Sequence, residues 1–224
     1  YYEKNSDGTY TKVNNLEYEN GTTIENSYNH SINITLDGAT INGSIYGGSN
    51  TSGTVYGNVN IELKSGTVNT NIASGGSSDS GVYGGGKGEN TTVLGHTNVK
   101  TNTEDNNSLI IYDIYGGSEK GKVNGNNNVS GETTVTINGG TINNVYGGGK
   151  GSENIAPYTY GPVTVNVNSG EITNVYGANN LLGMPNETIT VNVNGGITNT
   201  VYGGGNTAEI NTATVNLKNG TVTS

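Results

Sequence analysis

The chain has 224 residues, among them 38 Gly, 15 Tyr and 3 Pro, with no Cys, Trp or Phe. Its 18 acidic residues outnumber 9 basic ones, all of them Lys, for a formal net charge of -9. Disulfide frameworks, thiolate metal sites and Cys nucleophiles are excluded, a net-acidic chain without Arg is ill suited to gripping phosphate backbones, and no apolar run approaches the ~18 residues of a membrane span.

Only 30% of the residues are hydrophobic, which in bulk resembles a disordered chain. Their order argues otherwise. Residues 1–30 lack any repeat and read as an N-terminal cap or a small hairpin. From Ser31 onward one unit recurs. Ile34-Thr35-Leu36-Asp37-Gly38-Ala39-Thr40-Ile41 leads to Ile45-Tyr46-Gly47-Gly48. Ile61-Glu62-Leu63-Lys64-Ser65-Gly66-Thr67-Val68 leads, after an insertion, to Val82-Tyr83-Gly84-Gly85-Gly86. A degenerate copy starts near Val99 and ends at Ile114-Tyr115-Gly116-Gly117. The clearest copy runs from Val135 to Gly149, and the copy from Val165 to Gly177 follows it almost position for position. Val191 to Gly205 is the next. Val215-Asn216-Leu217-Lys218-Asn219-Gly220-Thr221-Val222 opens a seventh that the C-terminus cuts, so the chain reads as an excerpt of a longer protein.

Successive Tyr-Gly corners lie 26 to 37 residues apart, a period that signals a solenoid, propeller or array. Within a copy, V-x-V or I-x-L alternation predicts a strand with one buried face. The following Ser-Gly or Gly-Gly pair supplies a turn, and a short Ile-x-x-Val segment ends in a Gly-rich corner. Helical spacing is absent. A propeller blade needs four strands and each copy supplies two, or three with a short one. The expected fold is therefore all-β: a single-stranded parallel β-helix over 31–224, of about seven coils, right-handed. Each thin Val/Ile stripe is buried by its equivalent in the next coil.

Stacking makes every repeat position a column. Thr35, Glu62, Lys100, Thr136, Asn166, Asn192 and Asn216 form one, and Asp37, Lys64, Asn138, Asn168, Asn194 and Lys218 a second. Amide side chains one coil apart can hydrogen-bond as a ladder. A third column, Tyr46, Tyr83, Tyr115, Tyr146, Tyr176 and Tyr202, holds most of the bulky side chains of the repeat. Pointing inward, the rings fill a corner of the core, with hydroxyls bonded to backbone at the turn. Pointing outward, they form a carbohydrate platform, and these six tyrosines are the candidate ligand-binding residues.

Catalytic residues are expected to be absent. Hydrolases of glycosides need two carboxylates about 5–10 Å apart, and Glu132, Glu153 and Glu171 fall in no shared column. His30 and His96 lack a Ser and Asp in register. The Gly-Gly-Gly-Lys-Gly stretches at 84–88 and 147–151 lack the spacing and following helix of a phosphate loop. No metal or cofactor is expected.

The G-G-T-I-x-N-V-Y-G-G-G unit, with its V-T-V-N-V strand, resembles the β-helical repeats of large bacterial cell-surface adhesin-like proteins of the Gram-positive type. That resemblance implies an exported, surface-displayed segment: a non-catalytic adhesin or stalk that contacts glycans or a surface protein, a monomer within a longer chain, binding no nucleic acid and inserting in no membrane. The alternatives left open are a β-helical polysaccharide lyase or glycoside hydrolase, and a structural spacer with no ligand.

Overall fold

The computed structural model describes residues 31–69, 80–125 and 131–224 in full, and the backbone of four short strands before them. Those four pair antiparallel, Tyr2–Lys4 with Tyr10–Lys12 and Leu16–Glu17 with Thr23–Ile24. The rest of the 1–30 segment, His30 included, lies outside the described residues, as does the insertion at 70–79.

The protein is all-β, and from Ile32 onward every strand pairing is parallel. Ile32–Ile41, Val59–Val68, Thr97–Asn102, Thr133–Tyr146, Val163–Tyr176, Ile189–Val193 and Ala213–Leu217 lie side by side in chain order within a twelve-stranded sheet. Leu109–Tyr115, Ile197–Tyr202 and Thr221–Val222 continue it past the turn. A second sheet of four strands stacks Ser52–Val55, Asn90–Val93, Lys122–Val123 and Tyr158–Thr159.

Pairing joins equivalent positions of consecutive copies. Val135 faces Val165, Val191 faces Val215, and Tyr115, Tyr146, Tyr176 and Tyr202 are aligned in turn. Register is held because a one-residue slip would send every Val to solvent. The first outward column forms as read from the sequence, from Thr35 through Glu62, Lys100 and Thr136 to Asn216. The second needs a correction: Asp37 pairs with Ser65, not Lys64, because the register shifts at the turn. Asn102 also belongs to it, opposite Asn138. Similar shifts flank Asn138, which pairs with Ser169 rather than Asn168 although Asn168 still donates to its side chain, and Gly139 (φ 117) supplies backbone there that a side chain would strain.

One aliphatic core runs the length of the stack. Ile61, Val99, Val135, Val165 and Val191 come from the first sheet, and Val55, Val93 and Val123 from the second. Each such side chain contributes roughly 1.5–3 kcal/mol on burial, so the low apolar content suffices when the core residues are this well covered. The corner after Tyr46, Tyr83, Tyr115, Tyr146 and Tyr176 requires Gly. A Cβ at Gly116 would lie 2.3 Å from the Gly147 carbonyl oxygen and 2.5 Å from the Thr133 methyl.

Candidate functional site

The six corner tyrosines do stack. Neighbouring ring centroids are 4.6 to 4.9 Å apart and the planes deviate by at most 8°. They are not a surface platform. Tyr83 and Tyr115 are fully buried and Tyr146 nearly so, Tyr46 and Tyr176 are half-buried, and Tyr202 alone is exposed. The rings form a cluster separate from the aliphatic core. Strand alternation puts them on the face opposite the Val or Ile before them, where Glu119 reaches Tyr46 and Asn180 reaches Tyr115 from segments after later Gly-rich corners.

Two of the hydroxyls, those of Tyr46 and Tyr115, meet side chains. Tyr46 donates to Glu119, whose other oxygen lies 3.4 Å from Lys120 Nζ. Tyr115 donates to Asp113 Oδ2 at 3.0 Å and accepts from Asn180 Nδ2 at 3.0 Å. Asn180 in turn accepts from Asn206 at 3.1 Å. Burial out of water pushes Tyr115 and Tyr146 well above the usual tyrosine range, and the Asp113 charge adds to this. Both stay protonated at any physiological pH.

Asp113 is the unusual group. Burial lifts its carboxyl to about 6, although hydrogen bonds from Asn144 and Tyr115 and the charge of Lys150 oppose the rise. It stands at the foot of a ladder in which Thr200 donates to Asn174, Asn174 to Asn144 at 2.8 Å, and Asn144 to Asp113 at 2.8 Å. The outer ladders run the same way. Asn98 donates to Asn60 and Asn60 to Asn33, Asn216 to Asn192 and Asn192 to Asn166, and Asn102 to Glu62. A carboxylate only accepts, so Asp113 and Glu62 orient the amides above them.

A carboxyl near 6 has the proton affinity that acid–base chemistry uses. Asp113, however, is 4% exposed and its oxygens are engaged. The strand registers align Glu62 with Thr35 and Lys100, Asp113 with Asn144, and Glu171 with Thr141 and Ile197. None of these carboxylates faces another. His96 Nδ1 accepts the Glu132 backbone N–H at 3.2 Å. Among the described residues no three His, Asp or Glu converge as metal ligands, and no helix is long and apolar enough to cross a membrane.

A site the tyrosine column did not point to lies on the outer face. An open groove of about 470 Å³ crosses four consecutive copies and reaches Asn69 of the copy before them. One wall is the column Ile110, Thr141, Glu171 and Ile197. The other carries Tyr112, Asn143, Thr173 and Asn199, each two residues further along its strand. The floor is the buried row Ile111, Ile142 and Ile172. In the sequence its one signal is Tyr112, a tyrosine out of register with the corner column. No protein-family model, no curated protein and no solved structure matches the chain.

Proposed function

We propose that the parallel sheets are faces of a single-stranded, right-handed β-helix of about seven coils, forming a non-catalytic stalk or adhesive segment of a bacterial cell-surface protein. The observation that carries the reading is the unbroken register of the Tyr and Val columns from copy to copy. It supports a rod that keeps its shape under load rather than a cleft that moves around a substrate. Among the described residues, the one sealed carboxyl with shifted proton affinity and the separation of Glu62, Asp113 and Glu171 in the strand registers support the absence of catalysis. A surface location follows from the resemblance of the repeat unit and agrees with a polar Asn/Thr exterior that needs no disulfide.

Antibody raised against the chain should label intact cells of the source bacterium as strongly as permeabilised ones. Purified protein should release no reducing ends and no unsaturated uronates from pectin, alginate or β-glucans. Labelling only after permeabilisation would refute the location, and turnover of any of these polymers would refute the non-catalytic reading.

A further inference from the structure

We infer that the groove bounded by Ile110, Tyr112, Asn143, Thr173 and Ile197 binds a neutral hexose polysaccharide lying along the stack. The inference deepens the adhesive reading and rests on it, while naming a site and a ligand class that the tyrosine column does not supply.

The argument starts from hydrogen-bond satisfaction. Elsewhere on the protein equivalent amides zip together, as in Asn166, Asn192 and Asn216, each donating 2.9 Å to its predecessor or receiving from its successor. In the groove column Tyr112, Asn143, Thr173 and Asn199 alternate ring, amide, hydroxyl and amide, so no ladder closes. Asn143 and Thr173 make no side-chain hydrogen bond to another described residue, and Asn199 uses only its carbonyl, accepting from Thr223 at 3.0 Å. Donors and acceptors consumed on the other faces are left open here at one-strand spacing.

The apolar part is equally specific in place. Ile110 is 39% and Ile197 48% exposed, on an outward column where the scaffold otherwise carries polar residues. They bracket Thr141 and Glu171, and the half-buried Tyr112 ring stands two residues from Ile110. Alternating apolar contacts and neutral hydrogen-bonding groups match the faces and hydroxyl edges of pyranose rings. Four copies span about 14 Å at the ~4.8 Å strand spacing, and a sugar in an extended chain advances by close to one such step. Glu171 is the one charged group lining the groove, so anionic uronates are repelled and neutral sugars are not. An extended peptide would add to a sheet edge, whereas this groove lies on a sheet face whose backbone is paired on both sides of the column, Ile111 with Ile142 and Asp113 with Asn144.

The test is calorimetric titration of the full 224-residue chain with cellohexaose, laminarihexaose, mannohexaose and, separately, hexagalacturonate. At least one neutral probe should bind and the uronate should not. Tyr112→Ala and Asn143→Ala should each weaken that binding at least tenfold while the circular dichroism spectrum stays native. Thr136→Ala, on the ladder face, should leave it within twofold. Binding of no neutral probe, preference for the uronate, or indifference to both groove variants would overturn the inference. A surface-displayed, non-catalytic protein that failed this titration would still satisfy the stalk reading, so the two fail separately.

Discussion

Asp113→Asn isolates the one buried carboxyl among the described residues whose proton affinity the fold changes. In the unfolded chain an aspartate titrates at its ordinary value of 3.8, whereas in the folded protein Asp113 holds its proton to about 6. A folded value above the unfolded one means that the native state binds the proton more tightly. Stability from this group is complete below pH 3.8, declines as pH rises, and is lost once pH passes about 6. The gap corresponds to about 3 kcal/mol. The introduced amide would still accept from Asn144 through its carbonyl oxygen, while the Tyr115 hydroxyl would lose its acceptor. That second cost does not depend on pH and cancels when profiles are compared. Urea unfolding between pH 4 and pH 7.5, followed by tyrosine fluorescence, measures the difference. The stability of the wild type relative to Asp113→Asn should fall by up to about 3 kcal/mol across that range. Parallel profiles would refute the claim that desolvation governs this carboxyl.

Gly116→Ala should destabilise by about 3 kcal/mol or more, beyond ordinary overpacking, because the clash is with a backbone carbonyl that cannot rotate away. Gly43→Ala, with no atom near the added methyl, should stay within ~0.5 kcal/mol in the same thermal melts. Tyr115→Phe keeps the ring stack but strips one hydrogen bond from Asp113 and the acceptor of Asn180; it should cost about 1–3 kcal/mol. The same change should raise the Asp113 proton affinity further, read by carboxyl-carbon NMR. Asn174→Ala opens the ladder between Thr200 and Asn144, and a loss of about 1 kcal/mol is expected by urea titration.

The strand register was legible because it rests on local pattern. Val135, Val165 and Val191 sit at matching places in matching units, and only parallel stacking buries all three. Even the degenerate copy near Val99 could be aligned on its alternating residues, and it pairs with Ile61 on one side and Val135 on the other. What covers the tyrosines was not legible. Alternation sends Tyr115 away from the aliphatic core, and its partner Asn180 lies 65 residues downstream on an irregular segment. No periodicity links them. The groove was hidden for a related reason: the turn at 103–108 and the bulge near Asn138 reset the alternation. Whether Ile110 points in or out then depends on backbone geometry that composition does not encode. Asp37 and Lys64 were misaligned by a bulge of the same kind.

The common sense of the amide ladders gives the stack an arrow. Every zipped Asn offers its NH2 toward the chain start and its oxygen toward the chain end, and the acceptor-only Asp113 and Glu62 lock that choice. A neighbouring copy of the repeat that arrived upside down would set oxygen against oxygen along several columns at once. A two-fold joint between identical ends is the arrangement these amides reject.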